Sequence, residues 1–198
     1  MRPNPITEPF SKAEILRDLE AVRDWSLDFW RRFETSEFFT PIGDAWSPAD
    51  NVRHLVKSNR PVAKAMGLPR IVLYFRFGLS RRRSRGYSEI HAIYQEALGA
   101  GLKAGRFEAS PVSPEQQTAE GRERALRSLA DTFDALAGTL RRWPEKALDR
   151  ARLPHPGLGP LTVREMLLFT LYHNTHHVLG VERRRIQPMG VNSGLEVR

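Results

Sequence analysis

Leu161-Thr162-Val163-Arg164-Glu165-Met166-Leu167-Leu168-Phe169-Thr170-Leu171-Tyr172-His173-Asn174-Thr175-His176-His177 holds both a helix start and a candidate site. Thr162 with Glu165 three residues on is a capping box, whose two side chains satisfy backbone N–H groups that the first helical turn leaves unpaired. From Val163 the pattern reads as helix to about Arg185, ahead of Pro188 and Gly190.

The same start signal occurs three more times, at Ser11…Glu14, Ser47…Asp50 and Ser113…Gln116, the last two with proline (Pro48, Pro114) at the first helical position. Phe10 with Ile15 and Leu161 with Met166 form apolar pairs at hydrophobic-staple spacing. Apolar residues at helical spacing follow each start. The first helix shows Ile15, Leu19, Val22, Phe29, Trp30 and Phe33; the second Val52, Leu55, Val56, Val62, Ala63 and Met66; the third Leu126, Leu129, Phe133, Leu136 and Leu140, stopping near Pro144. Four amphipathic stripes without a strand pattern predict an all-α protein, a four-helix bundle that buries them together.

The 198 residues suit a single domain spanning 1–198. Residues 1–9 and 187–198 read as weakly ordered arms. Between the second and third helices, residues 67–112 exceed what a minimal bundle needs and predict an ordered insertion that caps one bundle end. Within it, Ile71–Leu79 is compatible with a strand, a short helix or a buried loop, whereas Ser88–Leu98 has a short-helix pattern.

A 40% hydrophobic and 27% charged composition is that of a folded chain. With no cysteine, a disulfide scaffold, a cysteine zinc finger, an iron–sulfur centre and a thiol nucleophile are all excluded. Neither a signal peptide nor an apolar run long enough to span a bilayer is visible, so a cytoplasmic location is expected, with no membrane partner. The net charge of +8 draws attention to Arg81–Arg83, Arg85, Arg141–Arg142 and Arg183–Arg185. Aromatic residues do not interleave these runs as a single-strand binder requires, and they read as solvated helix ends rather than a nucleic-acid surface.

Three of the six histidines fall at 173, 176 and 177. Positions i and i+4 lie about 40° apart around a helix, so His173 and His177 can aim two imidazoles at one point. That is the spacing by which a helix gives two nitrogens to a divalent metal; His176, at i+3, borders the same face and is an alternative partner for His173. His54, on the Val52/Leu55/Val56 side of the second helix, is the best third ligand, and Asp50 one turn earlier is placed to orient its other nitrogen. Asp50 also serves as the capping-box acid. The bland reading is a hydrogen-bonded cluster of core histidines. His91 and His155 read as structural or surface residues, and Tyr172 and Asn174 as facing away from the ligands. His173 is not followed by Glu, which excludes HExxH protease chemistry, and no paired Glu-x-x-His supports a di-iron site.

Trp46-Ser47-Pro48-Ala49-Asp50-Asn51-Val52-Arg53-His54-Leu55, together with His155-Pro156-Gly157-Leu158-Gly159-Pro160-Leu161-Thr162 and Tyr172–His177, resembles the DinB/YfiT-like superfamily. The resemblance covers most of the chain and implies a four-helix bundle with a three-histidine divalent-metal site, usually nickel or zinc. It places the ligands on His54, His173 and His177. Many relatives carry Gln three residues after the last ligand; here that residue is Gly180. Several relatives resemble transferases or isomerases that use bacillithiol, mycothiol or glutathione.

Three neutral imidazoles leave a divalent ion with its charge and open positions; manganese and iron also suit them. The leading expectation is metal-dependent S-transferase chemistry, a low-molecular-weight thiol joining a small electrophile. The alternatives are a metal-dependent hydrolase and a metal-free binding or stress-response module. Pairing into a homodimer is expected of bundles of this kind.

Overall fold

The computed structural model describes residues 3–186. Four long helices form the frame: α1 (Lys12–Trp30), α3 (Pro48–Met66), α6 (Ala119–Arg141) and α7 (Val163–Ile186). α1 and α3 each pack against both α6 and α7, which closes a four-helix bundle. Short helices α2 (Thr35–Phe39), α4 (Arg70–Phe77) and α5 (Tyr87–Gly99) lie in the connections. Every residue of the predicted stripe of the first helix is buried, from Ile15 through Phe33. Among the described residues, no helix is long and apolar enough to cross a membrane.

Three of the four predicted caps form. Ser11 and Glu14, Ser47 and Asp50, and Thr162 and Glu165 each exchange the two capping-box hydrogen bonds. The fourth expectation is corrected. Ser113 heads only a single 3-10 turn, Pro114–Gln116, and α6 starts later, capped by Thr118, whose hydroxyl accepts from Gly121 N–H at 3.1 Å. Gly121 permits this tight entry, because a Cβ there would stand 2.0 Å from the Gln116 carbonyl oxygen. Phe10 is also more exposed than a staple residue, at 43%, and carries the Arg164 guanidinium over its ring.

The insertion is ordered and mostly helical. Ile71–Leu79 falls largely in α4, where Leu73 is buried while Ile71, Val72 and Phe75 are exposed. α5 covers Ser88–Leu98 and packs on α7. A single turn at Gly105–Phe107 follows and touches α3.

Strands β1 (Arg152–His155) and β2 (Gly159–Thr162) add an antiparallel hairpin before α7 that the sequence pattern did not announce. Prolines at 154 and 160 and the lack of alternation hid it. Its turn, Pro156-Gly157-Leu158, ends at Gly159 with φ +71°, a left-handed conformation that glycine adopts without strain.

In the N-terminal segment the Thr7 N–H donates to the buried Asp18 carboxylate at 2.9 Å. The expectation for residues 187–198, and for residues 1 and 2, lies outside the described residues.

Candidate metal centre

α3 and α7 face each other in the bundle and carry the three imidazoles inward. His54 and His173 are buried and His177 nearly so, and their ligand atoms lie within 4.8 Å of one another. His173 Nε2 stands 3.0 Å from His54 Nε2 and 3.2 Å from His177 Nε2. Two imidazole nitrogens sharing a zinc ion at about 2.0–2.1 Å and the tetrahedral angle stand about 3.3 Å apart. Both of these separations are close to that value.

The proton positions argue the same way. His54 Nδ1 meets the Phe107 carbonyl oxygen at 2.9 Å, and a carbonyl only accepts, so this nitrogen carries the proton. His177 Nδ1 meets Asn51 Oδ1 at 2.7 Å. The Asn51 amide is oriented by its own NH2, which donates to the Ser47 carbonyl at 2.9 Å, so His177 is likewise protonated on Nδ1. Two Nε2 lone pairs therefore face His173 Nε2, which has at most one proton to offer. Three nitrogens with so few protons between them are a donor set for a cation, and a poorly satisfied hydrogen-bond cluster otherwise. Burial holds the rings neutral: it pushes His54 down, and with the neighbouring histidines pushes His173 and His177 well below the ordinary imidazole range.

The expected role of Asp50 is corrected. Its carboxylate is committed to the Ser47 N–H and hydroxyl at 3.1 and 2.6 Å, so the insertion's Phe107 carbonyl orients His54 instead. His176 stays outside the triad, beside the Tyr172 hydroxyl, and burial with Arg183 and Arg184 lowers it to about 4. Asn174 faces away from the ligands, as expected, and exchanges amide hydrogen bonds with Asn59 at 3.2 Å.

The triad forms part of the wall of a cavity of about 570 Å³. Val62, Leu98, Leu102, Met166 and Phe169 give it an apolar lining, and the Leu102–Glu108 loop and the β1–β2 hairpin complete it. Phe169 stacks on His173 and Trp46 on His177, which holds both rings in place.

The DinB superfamily profile matches residues 19–179, a span that includes all three histidines. The chain belongs to the DinB superfamily. Its fold is also similar to a crystal structure described as TT2238, a four-helix bundle protein, at 18% identity and a TM-score of 0.52, over 87% of this chain and 99% of that one. No curated protein matches the sequence.

Within this DinB-superfamily bundle, several site residues escaped sequence reasoning. Asn51 and Trp46 stand in the motif around His54, and Asn51, one turn before it, was the available signal. Phe107 contributes a backbone carbonyl, which no side-chain pattern can reveal. Tyr94 looked like one more apolar position of a short helix, and His155 like a loop residue; both line the cavity.

Not every arginine of the expected solvated runs is free. Arg82 and Arg85 reach the fully buried Glu165. That carboxylate also accepts the Arg85 and Thr162 N–H groups at 2.8 and 2.9 Å. Burial raises its pKa, but these donors outweigh it and hold Glu165 at about 2. Next to it, buried Arg164 binds Asp149 at 2.6 and 2.9 Å.

Proposed function

We propose that this chain is a divalent-metal-dependent enzyme, with nickel or zinc held by His54, His173 and His177, that joins a low-molecular-weight thiol to a small electrophile. The observation that carries the reading is three imidazole Nε2 atoms converging, short of protons, on the wall of an apolar cavity. A divalent ion bound there supplies a lowered pKa to a thiol or water that reaches it.

The chain's own groups set the stage. Asn51 and the Phe107 carbonyl keep protons on the outer nitrogens of His177 and His54, so the inner lone pairs stay available. The apolar lining favours an uncharged organic substrate and displaces water. The chain has no cysteine, so the sulfur must come from a cosubstrate. Thiol transfer is favoured over hydrolysis by the mainly apolar lining, which suits an organic cosubstrate better than water.

Elemental analysis of tag-free protein, followed by a panel of thiols with a general electrophile, tests the reading. One equivalent of metal and a thiol-dependent rate that is lost in His54→Ala are expected. Protein that stays metal-free after soaking in nickel or zinc, or no rate above His54→Ala with any thiol, overturns it.

A further inference from the structure

Tyr94 is 93% buried, being 7% exposed, yet its hydroxyl has no hydrogen-bond partner among the described residues, although it lines the cavity. Buried tyrosines ordinarily find one. Burial, aided by Tyr172, raises its pKa to about 12, so the hydroxyl keeps its proton. Its ring sits edge-on to Phe169 at 5.1 Å and to His173 at 6.0 Å.

The His155 ring also packs on Phe169, ring centroids 4.4 Å apart, at the end of β1. The Gly157 and Leu158 N–H groups both donate to its Nδ1, at 3.2 and 3.0 Å. Nδ1 is therefore the unprotonated nitrogen, and a neutral ring carries its hydrogen on Nε2. Burial lowers this histidine to about 4, so the ring is neutral near pH 7. Nε2 has no partner among the described residues, and His155 too lines the cavity.

Two residues with neutral donors thus pack on one aromatic ring that stacks on a triad histidine, within a lining that is otherwise mainly apolar. The cationic residues of the lining, Lys103 and Arg106, are exposed on the loop. Neutral donors set among apolar groups suit an uncharged acceptor, and without a metal ion on the triad a buried anion there has no cation beside it, which is costly.

We propose that the Tyr94 hydroxyl is the donor of a subsite for the carbonyl oxygen of an apolar small molecule, with His155 a second neutral donor in the same cavity. The proposal rests on the cavity being the substrate site of the function proposed above, and it makes the electrophile of that reaction a carbonyl compound. The thiol S–H adds across its C=O, sulfur to carbon and the proton to oxygen, with no leaving group.

Acetophenone and ethylbenzene, near-isosteres differing in the carbonyl, are suitable probes, with benzoate as the anionic comparison. Full-length protein is titrated with each by NMR, as purified and again with EDTA. Acetophenone is expected to bind about fivefold more tightly than ethylbenzene in both conditions, the size of one net hydrogen bond. Tyr94→Phe should reduce that preference to under about twofold while leaving ethylbenzene affinity and thermal stability unchanged. A preference that survives Tyr94→Phe, no preference in the wild type, no binding of either probe, or, with EDTA present, tighter binding of benzoate than of acetophenone overturns the proposal. A preference abolished by EDTA assigns the carbonyl to a metal and overturns it as well. Because the expected result holds with chelator present, failure of the metal reading leaves this outcome unchanged, and the two failures are distinguishable.

Discussion

Glu165 and His173 lie about two turns apart on α7, both buried, in clusters of opposite character. Around Glu165 the donors are complete: two arginines from the insertion and two backbone N–H groups converge on one carboxylate, and Arg164 is saturated beside it by Asp149 and Glu145. Around His173 the hydrogen-bond count falls short, since two neighbouring nitrogens present lone pairs to a third that has at most one proton. A satisfied buried network serves to hold elements together; a buried cluster short of protons is built for a ligand. One helix therefore carries a structural anchor at its start and a candidate binding site in its middle.

The sharpest way to break this contrast is Glu165→Ala. It leaves Arg82 and Arg85, both partly exposed, without their acceptor and removes the tie between the insertion and α7, so a loss of about 2–3 kcal/mol is expected in urea unfolding. A loss comparable to that of a surface substitution would refute the structural assignment.

His173→Gln should give the opposite profile. Metal affinity, measured by competition with a chelator, is expected to fall at least about 100-fold, equivalent to about 2.8 kcal/mol of binding, while the metal-free protein changes much less in stability than Glu165→Ala. Equal destabilisation by both substitutions would place the triad among structural networks.

Asn51→Ala sharpens the comparison at the level of orientation. It removes the acceptor that keeps the His177 proton on Nδ1, and should weaken metal binding about 10- to 100-fold without changing the ligands. Unchanged affinity would show that His177 is positioned by packing on Trp46 alone.

The mildest effect is expected from acid. The Glu165 pKa is lowered from 4.5 to about 2, so its contribution is fully present above pH 4.5 and is lost as the pH falls towards 2. The urea midpoint of the wild type should drop across that window, and Glu165→Gln should lack this component. Identical slopes in the two proteins would mean that another carboxylate governs acid unfolding.

Caps and stripes made much of the architecture readable, because they depend on residues three or four positions apart. Ser11, Ser47 and Thr162 start helices where their spacing indicates. Ser113 carries the same signature and starts no long helix, since the chain between Gln116 and Gly121 folds too closely for it. The hairpin escaped because its strands are only four residues long and rich in proline. At the site, the i/i+4 spacing of His173 and His177 was local information, and the structure brings His54, from its apolar stripe, beside them. Choosing between His176 and His177 required coordinates.

The sequence alone determined the four long helices, the helical pair of imidazoles and the absence of any cysteine nucleophile, because each is a matter of residue type and short-range pattern. Only tertiary structure decided that a backbone carbonyl of the insertion orients His54, that Arg82 and Arg85 turn inward to Glu165, and that Tyr94 and His155 share a cavity wall with the triad. Those partners are separated by tens of residues along the chain, and a hydrogen bond or a cavity depends on positions in space, which packing alone sets.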